Sequence, residues 1–213
     1  MLSFMLGAGL SVAPAMAEPL RLVALGDSLT QGYGLEAEDG FVPQLQAWLQ
    51  AEGLDVEVIN AGVSGDTTAG GLARMDWTLQ EPVDVMLVAL GGNDLLRGLS
   101  PASSLENLRG IFERLEREGI PAMLAGLPAP GNYGPEFQLA FERMYVDIAG
   151  IFDVPLYPDF LQPITDKADA GTRFTDLMQD DHIHPNADGV GLIVEGIGPF
   201  VRDVLRGIQE DAS

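Results

Sequence analysis

A chain of 213 residues, 46% of them apolar, has enough material for one domain with a sizeable hydrophobic core. Its 32 acidic residues outweigh 11 basic ones for a formal net charge of −21, and the basic set, ten arginines and Lys167, contains no run. That balance excludes nucleic acid and anionic membrane surfaces as partners, and the absence of cysteine excludes disulfides.

Met1 to Ala17 carries no charged side chain, is mostly apolar and ends in Ala15-Met16-Ala17, a small-x-small pattern of the kind a signal peptidase cuts. The expectation is a secretory leader over 1–17, removed before Glu18, with a periplasmic or secreted mature domain over 18–213. The segment is too short for a comfortable membrane span, which needs roughly 20 apolar residues. Short apolar runs then alternate with stretches of helical period. Strands are predicted at Leu20 to Leu25, Val56 to Asn60, Val83 to Leu90, Pro121 to Leu127 and Val154 to Tyr157. Helices are predicted over Phe41 to Ala51, Ala69 to Leu79, Ser103 to Glu118, Glu136 to Ile151 and Ala187 to Gly207. The third of these opens on a Ser103-x-x-Glu106 capping box after Pro101 and stops at Gly119. Five strands joined by helical crossovers predict an α/β fold, a three-layer α/β/α sandwich around a five-stranded parallel sheet of flavodoxin-like type.

Ligands of such sheets bind outside the carboxyl ends of the strands, and the polar and glycine-rich loops all fall there. Gly26-Asp27-Ser28-Leu29 follows the first strand, Gly62-Val63-Ser64-Gly65-Asp66 the second, and Gly91-Gly92-Asn93-Asp94 the third. Near the C-terminus stands Asp181-His182-Ile183-His184-Pro185, which holds both histidines of the chain. A serine hydroxyl becomes a useful nucleophile when an imidazole takes its proton and a carboxylate holds the imidazole. Asp181 and His184 are three apart, so one turn of backbone brings the carboxylate to Nδ1 and leaves Nε2 for Ser28. His182 is expected on the rim of the cleft. Asp180 is four from His184, a spacing that suits a helix, and Pro185 argues against one there. Backbone N–H groups of Ser28 and Gly65, with the side-chain amide of Asn93, are the candidate oxyanion donors. Ser64 is a decoy, because Gly62-x-Ser64-x reaches Asp66 where a nucleophile elbow wants glycine.

These blocks resemble those of the SGNH, or GDSL, hydrolases, and the chain is similar to their bacterial branch of multifunctional periplasmic esterases from Leu20 to about Leu205. The blocks are Gly26-Asp27-Ser28-Leu29, Gly65 within Ser64-Gly65-Asp66-Thr67, Asn93 within Gly91-Gly92-Asn93-Asp94, and Asp181-x-x-His184-Pro185-Asn186, with Gly71-Leu72-Ala73-Arg74 and Phe152-Asp153-Val154-Pro155 beside them. The resemblance implies Ser28 as nucleophile, Asp181 and His184 as its partners, and Gly65 and Asn93 as oxyanion donors. It implies hydrolysis of carboxylic esters, with short- to medium-chain acyl esters, aryl esters, thioesters and lysophospholipids as candidate substrates. Leu95, Leu96, Leu127, Tyr133 and Phe137 are the expected lining of the acyl groove. The loop after the fourth strand, Pro128 to Gly134, is longer by a Pro-Gly pair than the simpler form of the family, so acyl-chain preference does not carry over. No cofactor, no metal and no stable membrane insertion are expected, and the partner is a small ester met by a monomer. A carbohydrate O-deacetylase on the same scaffold is the enzymatic alternative, and a non-catalytic flavodoxin-like binding module is the other.

Overall fold

The computed structural model describes residues 18–211, so the expected leader lies outside the described residues. Five strands form one parallel sheet in the order β2-β1-β3-β4-β5: β1 is Leu20–Gly26, β2 Val56–Gly62, β3 Val85–Ala89, β4 Ala122–Ala125 and β5 Leu156–Tyr157. The order reverses between β1 and β3, which makes their carboxyl ends the switch point where a crevice opens. β1 is paired along its whole length with β2, from Leu20 against Val56, and from Leu22 to Gly26 with β3, starting against Val85. Its central residues Leu22 to Leu25, like Val85 to Val88 of β3, are buried on both faces, the continuous apolar reading expected of a parallel strand under two helical layers.

The helices are α1 (Ser28–Gln31), α2 (Phe41–Ala51), α3 (Thr68–Ala73), α4 (Met75–Thr78), α5 (Gly92–Leu96), α6 (Pro101–Glu118), α7 (Pro135–Phe152), α8 (Gln162–Asp169) and α9 (Ala187–Asp211). The long ones bury one face each: Leu108, Ile111, Phe112 and Leu115 of α6 recur at helical spacing, and Phe141, Met144, Tyr145 and Ile148 do the same on α7.

Three sequence expectations need correction. The capping box at Ser103 is not the start of α6, which begins two residues earlier: Ser100 is the N-cap and Pro101 occupies the first turn, where its missing N–H costs nothing. Ser103 instead donates its N–H to the Ser100 carbonyl at 2.9 Å. The helix expected over Ala69 to Leu79 breaks at Arg74, whose φ of −103° and ψ of 9° separate α3 from α4. The Gly70-Gly71 pair weakens the helix there, and the Arg74 guanidinium is drawn away to Asp66 and to the Gly26 carbonyl. Strands β3, β4 and β5 are shorter than their apolar runs, because the runs mark burial while the ladder stops where a neighbour ends; β5 spans two residues. The short α1 and α5 carry no period of their own and were not expected.

Leu87 lies at the centre of β3 with no exposed surface. Leu87→Ala is expected to lower the free energy of unfolding by about 2–5 kcal/mol, lost burial plus the cavity left behind, read from urea denaturation at constant slope.

Candidate active site

The first strand ends at Gly26, and Asp27 turns the chain by accepting the Leu29 N–H on its Oδ1 at 3.0 Å. That cap starts α1 at Ser28, whose backbone N–H is one of the donors a helix leaves unpaired at its first turn. The Ser28 hydroxyl meets Nε2 of His184 at 2.8 Å, and Nδ1 of His184 meets Oδ2 of Asp181 at 2.6 Å. The other carboxylate oxygen of Asp181 accepts the backbone N–H groups of Ile183 and His184 at 2.9 and 3.0 Å. The hydrogen bond from the His184 ring and these two N–H groups hold the Asp181 carboxyl down at about 2, so it is ionised at neutral pH.

The segment bearing both residues is a tight loop, not a helix. An antiparallel bridge joins Met178 to Pro185, Gln179 donates its N–H to the His184 carbonyl at 2.8 Å, and His182 turns the chain at a φ of 56°. The Gln179 amide then reaches the Tyr33 carbonyl at 2.8 Å, and the Tyr33 ring lies against the His184 ring with centroids 4.8 Å apart. The imidazole is thus held on three sides: by Asp181, by Ser28 and by an aromatic face.

Two further loops carry the candidate oxyanion donors, and Asn93 of one of them lines the same cavity as Ser28. Gly65 adopts a φ of 84°, which a side chain would strain. Asn93 lies in the first turn of α5, whose N-cap Gly91 has a φ of 124°; a Cβ there would stand 2.2 Å from the Tyr145 hydroxyl, which donates to the Leu90 carbonyl beneath. The Asn93 amide makes a long hydrogen bond of 3.5 Å to Oδ2 of Asp27. A carboxylate in that place selects which end of the amide faces it: NH2 turns toward Asp27, and its second N–H is left for a ligand.

Sequence reasoning missed the residues that hold these loops together. Asp94 is buried and accepts the Thr68 N–H at 2.8 Å, the Thr68 hydroxyl at 2.6 Å and the Ser104 hydroxyl at 2.7 Å, so three segments meet on one carboxylate. Arg74 binds Asp66 at 2.6 Å and the Gly26 carbonyl at 2.9 Å, fastening the Gly65 loop to the end of β1. The only hint in sequence was a charged residue inside an otherwise helical or glycine-rich segment.

A cavity of about 450 Å³ opens beside Ser28, Asn93 and His184, within the range of small-molecule sites. Leu95, Leu96 and Leu127 line it as expected positions of the groove, and Leu161, Phe174, Met178 and Ile183 complete an apolar wall no single sequence segment could announce. His182 stands on its rim. Tyr133 does not line it: its ring packs on Phe137, its hydroxyl donates to the Leu96 carbonyl at 3.4 Å, and it backs the groove from outside. Phe137 is likewise set back, stacked on Phe141. A hollow of equal volume at the opposite edge of the sheet, floored by Phe112 and Phe152, contains neither serine nor histidine. Among the described residues no group of three or more metal-ligating side chains occurs, and no helix is long and apolar enough to cross a membrane.

A serine, an imidazole and a carboxylate in series at the switch point of a parallel sheet define the site of a serine hydrolase on an α/β/α sandwich. The sequence profile of the GDSL-like lipase/acylhydrolase family matches residues 24–192, and the chain belongs to that family. It is 37% identical over 185 residues to the esterase TesA of Pseudomonas aeruginosa, covering 86% of this chain and 89% of that one. It is 36% identical over 186 residues to the thioesterase 1/protease 1/lysophospholipase L1 of Escherichia coli K12, covering 87% of this chain and 85% of that one. Among solved structures, AlinE4, an SGNH-hydrolase family esterase, superposes with a TM-score of 0.73 at 42% identity over 90% of this chain and 99% of that one.

Asp27 carries the largest electrostatic cost of the site. Burial pushes its carboxyl up from 3.8 to about 6, against the opposing pull of the Leu29 N–H, the His184 charge and the Asn93 amide. An acid with a raised folded pKa adds stability in full below its unfolded value and loses it as pH rises through its folded value. Asp27→Asn, which keeps an acceptor for Leu29, is therefore expected to stabilise the fold above pH 6 by up to about 3 kcal/mol, with the advantage vanishing below about pH 4. Urea unfolding of both proteins at pH 8 and pH 4 checks this, and an equal difference at the two pH values would contradict it.

Proposed function

We propose that the protein is a metal-independent serine esterase in which Ser28, His184 and Asp181 cleave carboxylic esters through an acyl-enzyme. The observation that carries this reading is the unbroken series of contacts from Ser28 to His184 to Asp181, at 2.8 and 2.6 Å, opening onto an apolar cavity. His184 accepts the Ser28 proton as Oγ attacks the acyl carbon, and the charged imidazolium is stabilised by Asp181. The tetrahedral oxyanion is met by the N–H groups of Ser28 and Gly65 and the Asn93 amide. His184 then returns the proton to the departing alkoxide or thiolate. Water replaces it, is deprotonated by His184 and releases the acid, restoring Ser28.

The apolar wall takes the acyl chain, and the acidic surface favours neutral esters that diffuse in over those with anionic leaving groups. Short- and medium-chain acyl esters and aryl esters fit both conditions, and thioesters fit the chemistry, in keeping with the name of the Escherichia coli relative. The mature domain is taken as residues 18–213, acting as a monomer in the periplasm or the medium; the uncharged segment ending Ala15-Met16-Ala17 supports that location.

Protein beginning at Glu18 is expected to hydrolyse p-nitrophenyl acetate, butyrate and octanoate, and Ser28→Ala to abolish turnover while remaining folded by circular dichroism. Turnover that survives Ser28→Ala would remove the serine from the mechanism, and selective release of acetate from acetylated sugars would favour the deacetylase. Asn93→Ala is expected to lower kcat by about a hundredfold with KM nearly unchanged, since the amide acts mainly in the transition state.

A further inference from the structure

The donor expected from Gly65 is the N–H of the 64–65 peptide, and nothing in a glycine side chain holds that plane. The peptides on either side are both anchored. On one side the Ser64 N–H, part of the 63–64 peptide, is bound to the Gln31 side-chain oxygen at 2.9 Å. On the other, the Gly65 carbonyl, part of the 65–66 peptide, receives Nη2 of Arg97 at 2.8 Å. The Arg97 guanidinium stands 3.7 Å from where a Cβ of Gly65 would be, so it lies directly against the turn. Arg97 follows α5, the short helix that carries Asn93 in its first turn. One five-residue helix therefore presents one candidate oxyanion donor at its start and fixes the other from its end.

The charge of Arg97 is as telling as its position. Arg74, Arg114 and Arg202 each sit on a carboxylate, at Asp66, Asp76 and Glu52. Arg97 makes no ion pair among the described residues and is exposed, in a chain whose net charge is −21. With no carboxylate competing for it, the guanidinium stays on the Gly65 carbonyl, a charge-assisted hydrogen bond stronger than a neutral one.

Resting on the serine esterase reading, we infer that Arg97 is a positioning residue of the reaction: seated on the Gly65 carbonyl, it holds the 64–65 N–H toward the oxyanion. Its effect belongs to the transition state, when charge appears on the acyl oxygen, and not to substrate binding.

The test uses p-nitrophenyl butyrate with the mature protein, Arg97→Ala and Arg97→Lys. Arg97→Ala is expected to lower kcat by about ten- to thirtyfold with KM within about twofold, less than loss of a direct donor because the guanidinium acts through a carbonyl. Arg97→Lys, which retains charge but not the fork, should recover part of the loss. Guanidinium chloride at tens of millimolar, far below denaturing levels, should raise kcat of Arg97→Ala where equal sodium chloride does not. The exposed side chain leaves the melting temperature within a degree or two of the parent. An Arg97→Ala enzyme with kcat within twofold of the parent, or one whose loss lies in KM alone, would overturn the inference and leave the esterase reading intact. Absence of turnover by the unsubstituted protein would instead overturn the esterase reading on which it rests.

Discussion

The contact between Nε2 of His184 and Oγ of Ser28 joins residues 156 apart in the chain, and the rest of the site is arranged so that it forms at 2.8 Å. Ser28 is placed by the end of a buried strand and a cap from Asp27, which leave it little freedom. His184 is placed by a loop with no regular structure, and its rigidity comes from hydrogen bonds: the Met178 to Pro185 bridge, the Gln179 N–H on its own carbonyl, and two backbone N–H groups on Asp181. The carboxylate that orients the imidazole is thereby the same group that shapes the backbone carrying it, so orientation of the ring and folding of the loop are one event.

The second half of the site depends on buried carboxylates. Asp94 holds α3, α5 and α6 together through three donors, which satisfies a charge that would otherwise be costly in the core. Asp27 is less well satisfied, and its raised pKa measures that deficit. An asparagine would be more comfortable in the fold, yet it would lose the acceptor-only character that turns the NH2 of Asn93 in one direction. Stability and orientation pull against each other at this residue, as expected where strain is kept for chemistry.

The cavity beside the serine draws its apolar wall from Leu95, Leu127, Leu161, Phe174, Met178 and Ile183, which belong to four separate stretches of chain. The acidic exterior and the apolar wall act at different ranges: a net charge is felt from a distance, whereas an apolar wall acts only on what touches it. Tyr133 contributes from behind, through its hydrogen bond to Leu96, and so reaches the groove by shaping its lining.

The five-stranded parallel sheet and the polar loops at its carboxyl edge were legible in the sequence, because buried strands read as unbroken apolar runs and glycine-rich turns mark where they end. Ser28, Asp181 and His184, which the structure joins, could be picked out as a serine after a strand and a carboxylate three before one of the only two histidines of the chain. Sequence also separated Asp181 from Asp180, since a proline after His184 forbids the helix that the longer spacing needs. It misplaced Tyr133, split no helix at Arg74 and started α6 late at Ser103, because local signals cannot know that Arg74 is pulled toward Asp66 or that the Ser104 hydroxyl is claimed by Asp94. Residue types and their spacing along the chain are local facts and survive in the sequence. Which carboxylate an arginine finds, which carbonyl Arg97 covers and which side chains share a wall are set by distances between segments far apart in the chain, and only the tertiary structure decided those.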